Sequence, residues 1–379
     1  MKCLGKHAAT GGAVEIEFGS AIESVNPAEA TDDLYLAPGF IDIQVNGFAG
    51  VDYNHSTTSH DEIARSLRAL LATGVTRFYP TVITGPPDEM CGALRNLARA
   101  AESLDDGAVI DGFHVEGPHI SAEDGPRGAH PVRWVRPPDL EEFRRWQDAT
   151  RGRIRVVTLS PEWPEAPRYI ERVAGNGVAV SIGHTKADAQ QIADAVSAGA
   201  TLSTHLGNGA HSILRRHPNY IWTQLGEDRL MASFIVDGIH LDRSFLIVAV
   251  RAKGVERSVL VTDAAPPAGA RPGRYHLGEQ EVDLTPEGRV TLAGTDRLAG
   301  SALHMDRGIE NLVKLAGLSL PDAIRIATTN AAKAGRVPGR QAGLVAGDRA
   351  DFVQFRWNEE RSNLQVQATW VGGKKLWAA

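Results

Sequence analysis

This 379-residue chain has two cysteines, Cys3 and Cys91. That is too few for a disulfide scaffold, and their spacing suggests no thiolate metal site. Residues 1–30 hold no continuous apolar stretch, which argues against a signal peptide or membrane span there and makes the cytoplasm the default location. Positive charge is not in surplus either. The formal net charge is -6 and no lysine/arginine stripe stands out, so nucleic acid is not an expected partner. The 39 glycines and 20 prolines follow no collagen-like or low-complexity period; they lie between apolar runs, as tight transitions between elements and loops require.

What is present is material for a sizeable core, with 42% hydrophobic residues, although length alone leaves open one large barrel or two to three smaller domains. From about residue 38 to 265, short β-prone runs alternate with stretches of helical pattern. The runs at 40–45, 76–80, 109–115, 155–159, 178–182, 200–204, 232–236 and 258–262 predict eight strands, most of them apolar enough to be covered on both faces. Segments 60–72, 89–101, 166–174 and 188–198 carry apolar positions at helical spacing. Gly74, Gly177 and Gly199 stand where helix C-caps belong. This predicts an α/β fold, a (β/α)8 TIM barrel, with an open doubly wound sheet as the competing arrangement. At the ends, 13–18, 34–36, 351–356, 364–370 and 372–377 read as strands, and 342–353 as strand, turn and strand. Such short sets are marginal alone. The expectation is a small β-sandwich built from residues 1–37 and 337–379, beside a barrel of residues 38–336.

Polar residues gather at the predicted strand ends. Gln44 and Asn46 end strand one, Glu116 follows strand three, His184 strand five, His205 strand six and Asp263 strand eight. In a barrel these positions share the rim where active sites assemble. Two imidazoles and a carboxylate suit zinc or a similar divalent ion with a position left for water. Such an ion would acidify water, Asp263 could carry the proton to a departing amine, and His130 could help stabilise the oxyanion. Singly, each residue has a plainer reading: a histidine after a strand can be a hydrogen-bonded structural group, Glu116 could cap the following segment, and Asp263 could N-cap a helix. The joint placement favours a site. His211, Arg215, Arg216 and His217 form a basic cluster suited either to an anion or to a solvated loop.

Together, Pro38-Gly-Phe-Ile-Asp-Ile-Gln-Val-Asn-Gly47, Val115-Glu-Gly-Pro118, Gly183-His-Thr185, Thr204-His205, Asp237-Gly-Ile-His240 and Thr262-Asp-Ala264 resemble the N-acetylglucosamine-6-phosphate deacetylase family of the amidohydrolase superfamily. Leu298-Ala-Gly-Ser-Ala302 and Gly343-Leu-Val-Ala-Gly-Asp348 fit the same resemblance, which spans roughly residues 36–379. It implies hydrolysis of the N-acetyl group of N-acetylglucosamine 6-phosphate, with Glu116, His184 and His205 as metal ligands and Asp263 as general base and acid. Gln44 stands where other superfamily members often carry a His-x-His pair, which implies one metal ion; zinc is the default, with iron, cobalt or manganese as alternatives. His130 and His240 match substrate-contacting histidines. The family is commonly a homodimer in which an arginine reaches the neighbour's phosphate site, and Arg216 falls at a suitable distance for that, with Arg215 an alternative.

The chain departs from the family pattern after His205. Gly207-Asn-Gly-Ala-His211 replaces an aromatic residue followed by Asn-Ala-Met, and His304 is unusual near the pocket. Asn208 and Gly209 keep positions for amide and backbone contacts to substrate, while His211 and His304 join the candidate substrate contacts. The altered loop leaves a second expectation open: deacylation of a different, unphosphorylated N-acyl amino sugar or other small amide.

Overall fold

The computed structural model describes residues 1–29, 33–339 and 343–379. Eight parallel strands form one sheet: Phe40–Val45, Val75–Ile83, Phe113–Glu116, Ile154–Leu159, Ala179–Ile182, Ala200–Ser203, Met231–Ile235 and Ser258–Val261. They are called strands one to eight below. Each hydrogen-bonds its sequence neighbour in order. The circuit closes between strands eight and one, where Asp263 N donates to Gln44 O (3.0 Å) and Asn46 N to Ala264 O (2.8 Å). That closure excludes the open doubly wound sheet, and it sets Gln44 and Asn46 beside Asp263.

Helices follow the strands because their caps and apolar faces agree. Helix His60–Leu71 begins with a capping box between Ser59 and Glu62, and helix Ala189–Ser197 with one between Asp188 and Gln191. Each turns Ile63, Leu67 and Leu70, or Ile192, Ala195 and Val196, onto the sheet. The third strand is shorter than expected: residues 107–109 wind into a 3-10 turn, and pairing starts only at Phe113.

Both chain ends contribute to one seven-stranded sheet. In hydrogen-bonded order its strands are Lys374–Ala378, Asn363–Val371, Phe352–Asn358, Tyr35–Pro38, Lys2–His7, Ala13–Phe18 and Ile22–Pro27. Phe18 and Phe352 lie three strands apart in that order, yet their rings meet at 4.9 Å. The sheet therefore curls over a shared core in which Phe352 also stacks on Trp370 at 4.5 Å. Two of its strands, Lys2–His7 and Ile22–Pro27, went unread in the sequence. The predicted strand, turn and strand over 342–353 needs correction: Ala342 lies outside the described residues, 343–351 form turns and bends, and the strand starts at Phe352.

A further element was not anticipated. Between strand eight and helix Met305–Ala316, the segments Gly273–Leu277, Gln280–Leu284 and Val290–Leu292 form an antiparallel meander. Its tip is tied to the barrel loops, with Gly278 N donating to Asp52 Oδ2 at 2.6 Å and both Arg133 and Trp134 bonding Glu279. It stands against the rim as a wall.

Candidate active site

The rim opens into a cavity of about 430 Å³, walled on one side by Leu277 and Gln280 of the meander. At its floor Glu116, His184 and His205 converge. Glu116 Oε1 lies 3.0 Å from His205 Nε2 and 3.3 Å from His184 Nε2, and the two imidazole nitrogens are 3.0 Å apart. All three side chains are buried.

The tautomers make this triangle informative. His184 Nδ1 faces the carbonyl of Pro126 at 2.9 Å. A carbonyl only accepts, so that nitrogen carries the proton and a neutral His184 presents a bare lone pair at Nε2. That lone pair points at another imidazole nitrogen and a carboxylate oxygen. Three acceptors this close require a cation or protons among them. In the protein alone protons serve: burial opposes a charged His205, but the hydrogen bond and charge of Glu116 outweigh it and raise the His205 pKa. Burial would likewise raise the Glu116 carboxyl, and the two histidines more than reverse this, holding it well below the usual range. Around a tetrahedral ion with bonds of about 2.0–2.1 Å, ligand atoms stand about 3.3–3.4 Å apart. The triangle fits that spacing to within a few tenths of an ångström. His130 is close by, since Glu116, His130 and His184 also offer ligand atoms within 4.8 Å of one another. The set containing His205 is the tighter match.

Asp263 sits beside the triangle. Asn46 Nδ2 donates to its Oδ1 at 2.7 Å, and Gln44 Nε2 bridges that same oxygen (3.1 Å) and Glu116 Oε1 (2.9 Å). The Gln44 amide thus spaces two carboxylates that would otherwise repel. Burial first, and then the charge of Glu116, push the Asp263 carboxyl up to about 6. Glu116 and Asp263 therefore make side-chain contacts within the site, and neither is held there as a helix cap.

Backbone geometry marks the same positions. His184 (φ 50°), His205 (φ 30°) and Asp263 (φ 50°) all lie in the left-handed region. Non-glycine residues seldom do so, and such strain, about 1–3 kcal/mol each, tends to cluster at functional sites. Each turns its side chain inward as the chain leaves its strand. Gly209 (φ 53°) has to be glycine for a different reason, because a Cβ there would stand 2.7 Å from His184 Nδ1.

The remaining candidates divide. His130 lines the cavity, bonded through Nδ1 to Thr84 Oγ1 (2.8 Å) and packed on the His184 ring; burial and His184 push its pKa down to about 3, so it is neutral. His240 also lines it, oriented by Asp237 Oδ2 at 2.7 Å from Nδ1, as do Asn208 and His211. His211 is engaged by Glu123 at 2.8 Å and the Tyr220 hydroxyl at 3.0 Å. Arg216 is exposed and lines no part of this cavity. His304 is also absent from its lining, with its ring resting on Phe48 instead.

Sequence reasoning missed Asp42 and His114. Asp42 is fully buried, accepts from the Thr262 hydroxyl at 2.5 Å, and is pushed up to about 7, chiefly by burial. A carboxylate two residues before Gln44, on the same face of a largely apolar strand, was the available signal. His114 lies two residues before Glu116 on the same inward face, with its pKa pushed by burial down to about 4.

A closed parallel barrel with this donor set on its C-terminal rim defines a metal-dependent amidohydrolase, and residues 35–376 match the amidohydrolase family. The chain is 35% identical to the N-acetylglucosamine-6-phosphate deacetylase of Bacillus subtilis over 328 residues, covering 86% of this chain and 81% of that protein. It is 36% identical to that of Homo sapiens over 357 residues (91% and 84%). The solved N-acetyl-D-glucosamine-6-phosphate deacetylase of Mycobacterium smegmatis, one mutant of which is in complex with N-acetyl-D-glucosamine-6-phosphate, is 31% identical with a TM-score of 0.88 over 99% of both chains. That of Thermotoga maritima gives 0.86 at 25% identity over the whole of both chains. The chain belongs to the N-acetylglucosamine-6-phosphate deacetylase family.

Proposed function

We propose that this protein hydrolyses the N-acetyl group of N-acetylglucosamine 6-phosphate, releasing acetate and glucosamine 6-phosphate. The observation that carries the reading is the buried triangle of Glu116, His184 and His205 with Asp263 hydrogen-bonded alongside. Those three side chains would hold one divalent ion, zinc by default, with iron, cobalt or manganese suited to the same donors. When bound, such an ion supplies Lewis acidity, which acidifies water and polarises an amide carbonyl.

The chain's own residues do the rest. Asp263, kept close by Asn46 and Gln44, takes the proton of the attacking water as its oxygen bonds the acetyl carbon. It then gives that proton to the sugar nitrogen as the carbon–nitrogen bond breaks. His130, neutral and facing the cavity, is placed to donate to the developing oxyanion. His240, fixed by Asp237, and Asn208 contact the sugar. Among the described residues the lining of the cavity contains no arginine or lysine, while Arg215 and Arg216 follow Ile213, which is 89% exposed, on an exposed arm. This supports a homodimer in which Arg216 of one subunit meets the phosphate bound by the other. A small sugar phosphate as substrate fits a cytoplasmic enzyme, and no helix among the described residues is long and apolar enough to cross a membrane.

The test is acetate release from matched N-acetylglucosamine with and without the 6-phosphate. A strong preference for the phosphorylated sugar is expected. Equal rates would remove the phosphate while leaving a hydrolase, and no release from either with zinc or iron present would end the reading.

A further inference from the structure

The side-chain layer beneath the donor triangle is unusual. Bulky branched apolar residues normally fill a TIM-barrel interior. Here a chain of polar groups crosses it. His114 Nδ1 lies 3.0 Å from Ile43 O, His114 Nε2 2.7 Å from Thr158 Oγ1, Thr158 Oγ1 2.7 Å from Thr204 Oγ1, and Thr204 Oγ1 2.5 Å from Ser181 Oγ. Every member is buried.

The direction of each bond follows from its anchor. Ile43 O only accepts, so His114 Nδ1 donates and the Nε2 of the neutral ring accepts from Thr158. Thr158 has then used its one proton and accepts from Thr204, which in turn accepts from Ser181. One proton arrangement satisfies the whole chain, and reversing any link leaves two protons or two lone pairs facing each other. Fully satisfied buried networks of this kind hold their surroundings in a single geometry.

Its membership matches the site above it. Ile43 precedes Gln44, His114 lies two residues before Glu116, Ser181 three before His184, and Thr204 immediately before His205. The chain thus fastens together the four strands that carry the donor triangle and its bridging amide. His114 makes the longest reach, spanning from strand three across strand two to strand one. None of these groups hydrogen-bonds to the donor atoms, so their positioning effect runs through the strands that carry both.

We propose that His114, acting through the Thr158–Thr204–Ser181 hydroxyls, is a positioning residue that presets the spacing of Glu116, His184 and His205 for a metal ion. This rests on the metal-site reading above. Outer groups that orient metal ligands typically change affinity by about 10–100-fold when removed.

The test is zinc affinity of the full-length protein, measured by competition with a chromophoric chelator, together with the absorption spectrum of the cobalt-loaded protein. Thr158→Val deletes the central hydroxyl at nearly constant volume, and His114→Phe removes both bonds of the ring. Each is expected to weaken zinc binding about 10-fold or more and to alter the cobalt bands. The double variant should be little worse than either single one, because one chain has been cut twice. His114→Gln, whose amide can both donate and accept, should recover part of the affinity. If His114→Phe fails to fold, Thr158→Val still decides. Variants that melt earlier yet bind zinc within twofold of the parent, with unchanged cobalt bands, would reduce the chain to a structural role and overturn the proposal. A parent that binds no zinc would overturn the metal-site reading beneath it.

Discussion

Replacing Asn46 by leucine tests the role of Asp263 more sharply than deleting Asp263 itself. Asn46 Nδ2 donates to Asp263 Oδ1 at 2.7 Å in a buried setting, and this bond is one of the influences that hold the carboxyl down against burial. A hydrogen bond to a charged group contributes about 1.5–3 kcal/mol, and about 1.4 kcal/mol corresponds to one pKa unit. Full loss would therefore raise Asp263 by about 1–2 units. Gln44 still donates to the same oxygen at 3.1 Å, which places the expected rise near the lower end, about one unit. The starting point is about 6 without a cation, and a bound divalent ion favours the carboxylate and brings it lower. The sign is fixed, because the carboxylate is the active base. Activity is lost as pH falls through its pKa, and in Asn46→Leu that loss begins at higher pH. The assay is kcat/KM for acetate release from pH 5 to 9. The acid limb should move up by about one unit, with rates converging on those of the parent above it. A profile scaled down evenly at every pH, its limb unmoved, would show that Asn46 does not tune the base.

Other perturbations follow from the same geometry. Gly209→Ala puts a Cβ 2.7 Å from His184 Nδ1 at φ 53°; beyond about 1–2 kcal/mol of backbone cost it should displace the imidazole, so zinc retained after dialysis should fall, and full occupancy would contradict the close approach. Zinc binding should expel the proton that His205 holds, because its pKa in the free protein is raised; calorimetry at pH 6 in buffers of different ionisation enthalpy measures the number, and no proton released there would count against the proton-held apo site. Phe352→Ala removes the ring between Phe18 and Trp370 and should cost about 3–5 kcal/mol in denaturant unfolding, with kcat of the surviving folded enzyme unchanged. Chelation should lower the melting temperature by several degrees, since zinc at about 1,000 times its Kd stabilises the folded state by about 4 kcal/mol; an unchanged melting curve would indicate no such linkage.

The eight barrel strands were legible because most are short, apolar on both faces and bounded by turn residues, a pattern that few other arrangements produce. The terminal strands Ala13–Phe18, Phe352–Asn358 and Asn363–Val371 were legible by alternation. What escaped had a weaker signature. Lys2–His7 reads as a mixed polar run, with burial confined to Gly5. The meander contains Gly273–Leu277, whose residues are exposed but for Tyr275 and Leu277. It is held by contacts to Asp52, Arg133 and Trp134, which lie more than a hundred residues away. No local pattern encodes such contacts, and yet this element supplies a wall of the cavity.

The site shows the same division for a physical reason. Glu116, His184, His205 and Asp263 stand at strand ends, and in a closed barrel the end of a strand is a place in space as well as in sequence; convergence follows once the strands are known. Three of the four also take left-handed backbone, a conformation that residue type alone does not fix. The substrate-side candidates lie on loops. His304 was placed near the pocket by its position along the chain and Arg216 at a neighbour's phosphate site by resemblance, and a loop can turn either way. His304 packs its ring on Phe48, while Arg216 is exposed and does not line the cavity of its own subunit, as a role at a neighbour's site requires. Among the described residues no arginine or lysine lines the cavity, which leaves two choices: either a second subunit supplies the cation for a phosphate, or the substrate carries none. Arg216→Ala separates them. A raised KM for the phosphorylated sugar alone, restored in mixtures with a subunit that keeps Arg216 but lacks Asp263, requires the first; a KM unchanged in Arg216→Ala and in the Arg215→Ala/Arg216→Ala double variant favours the second.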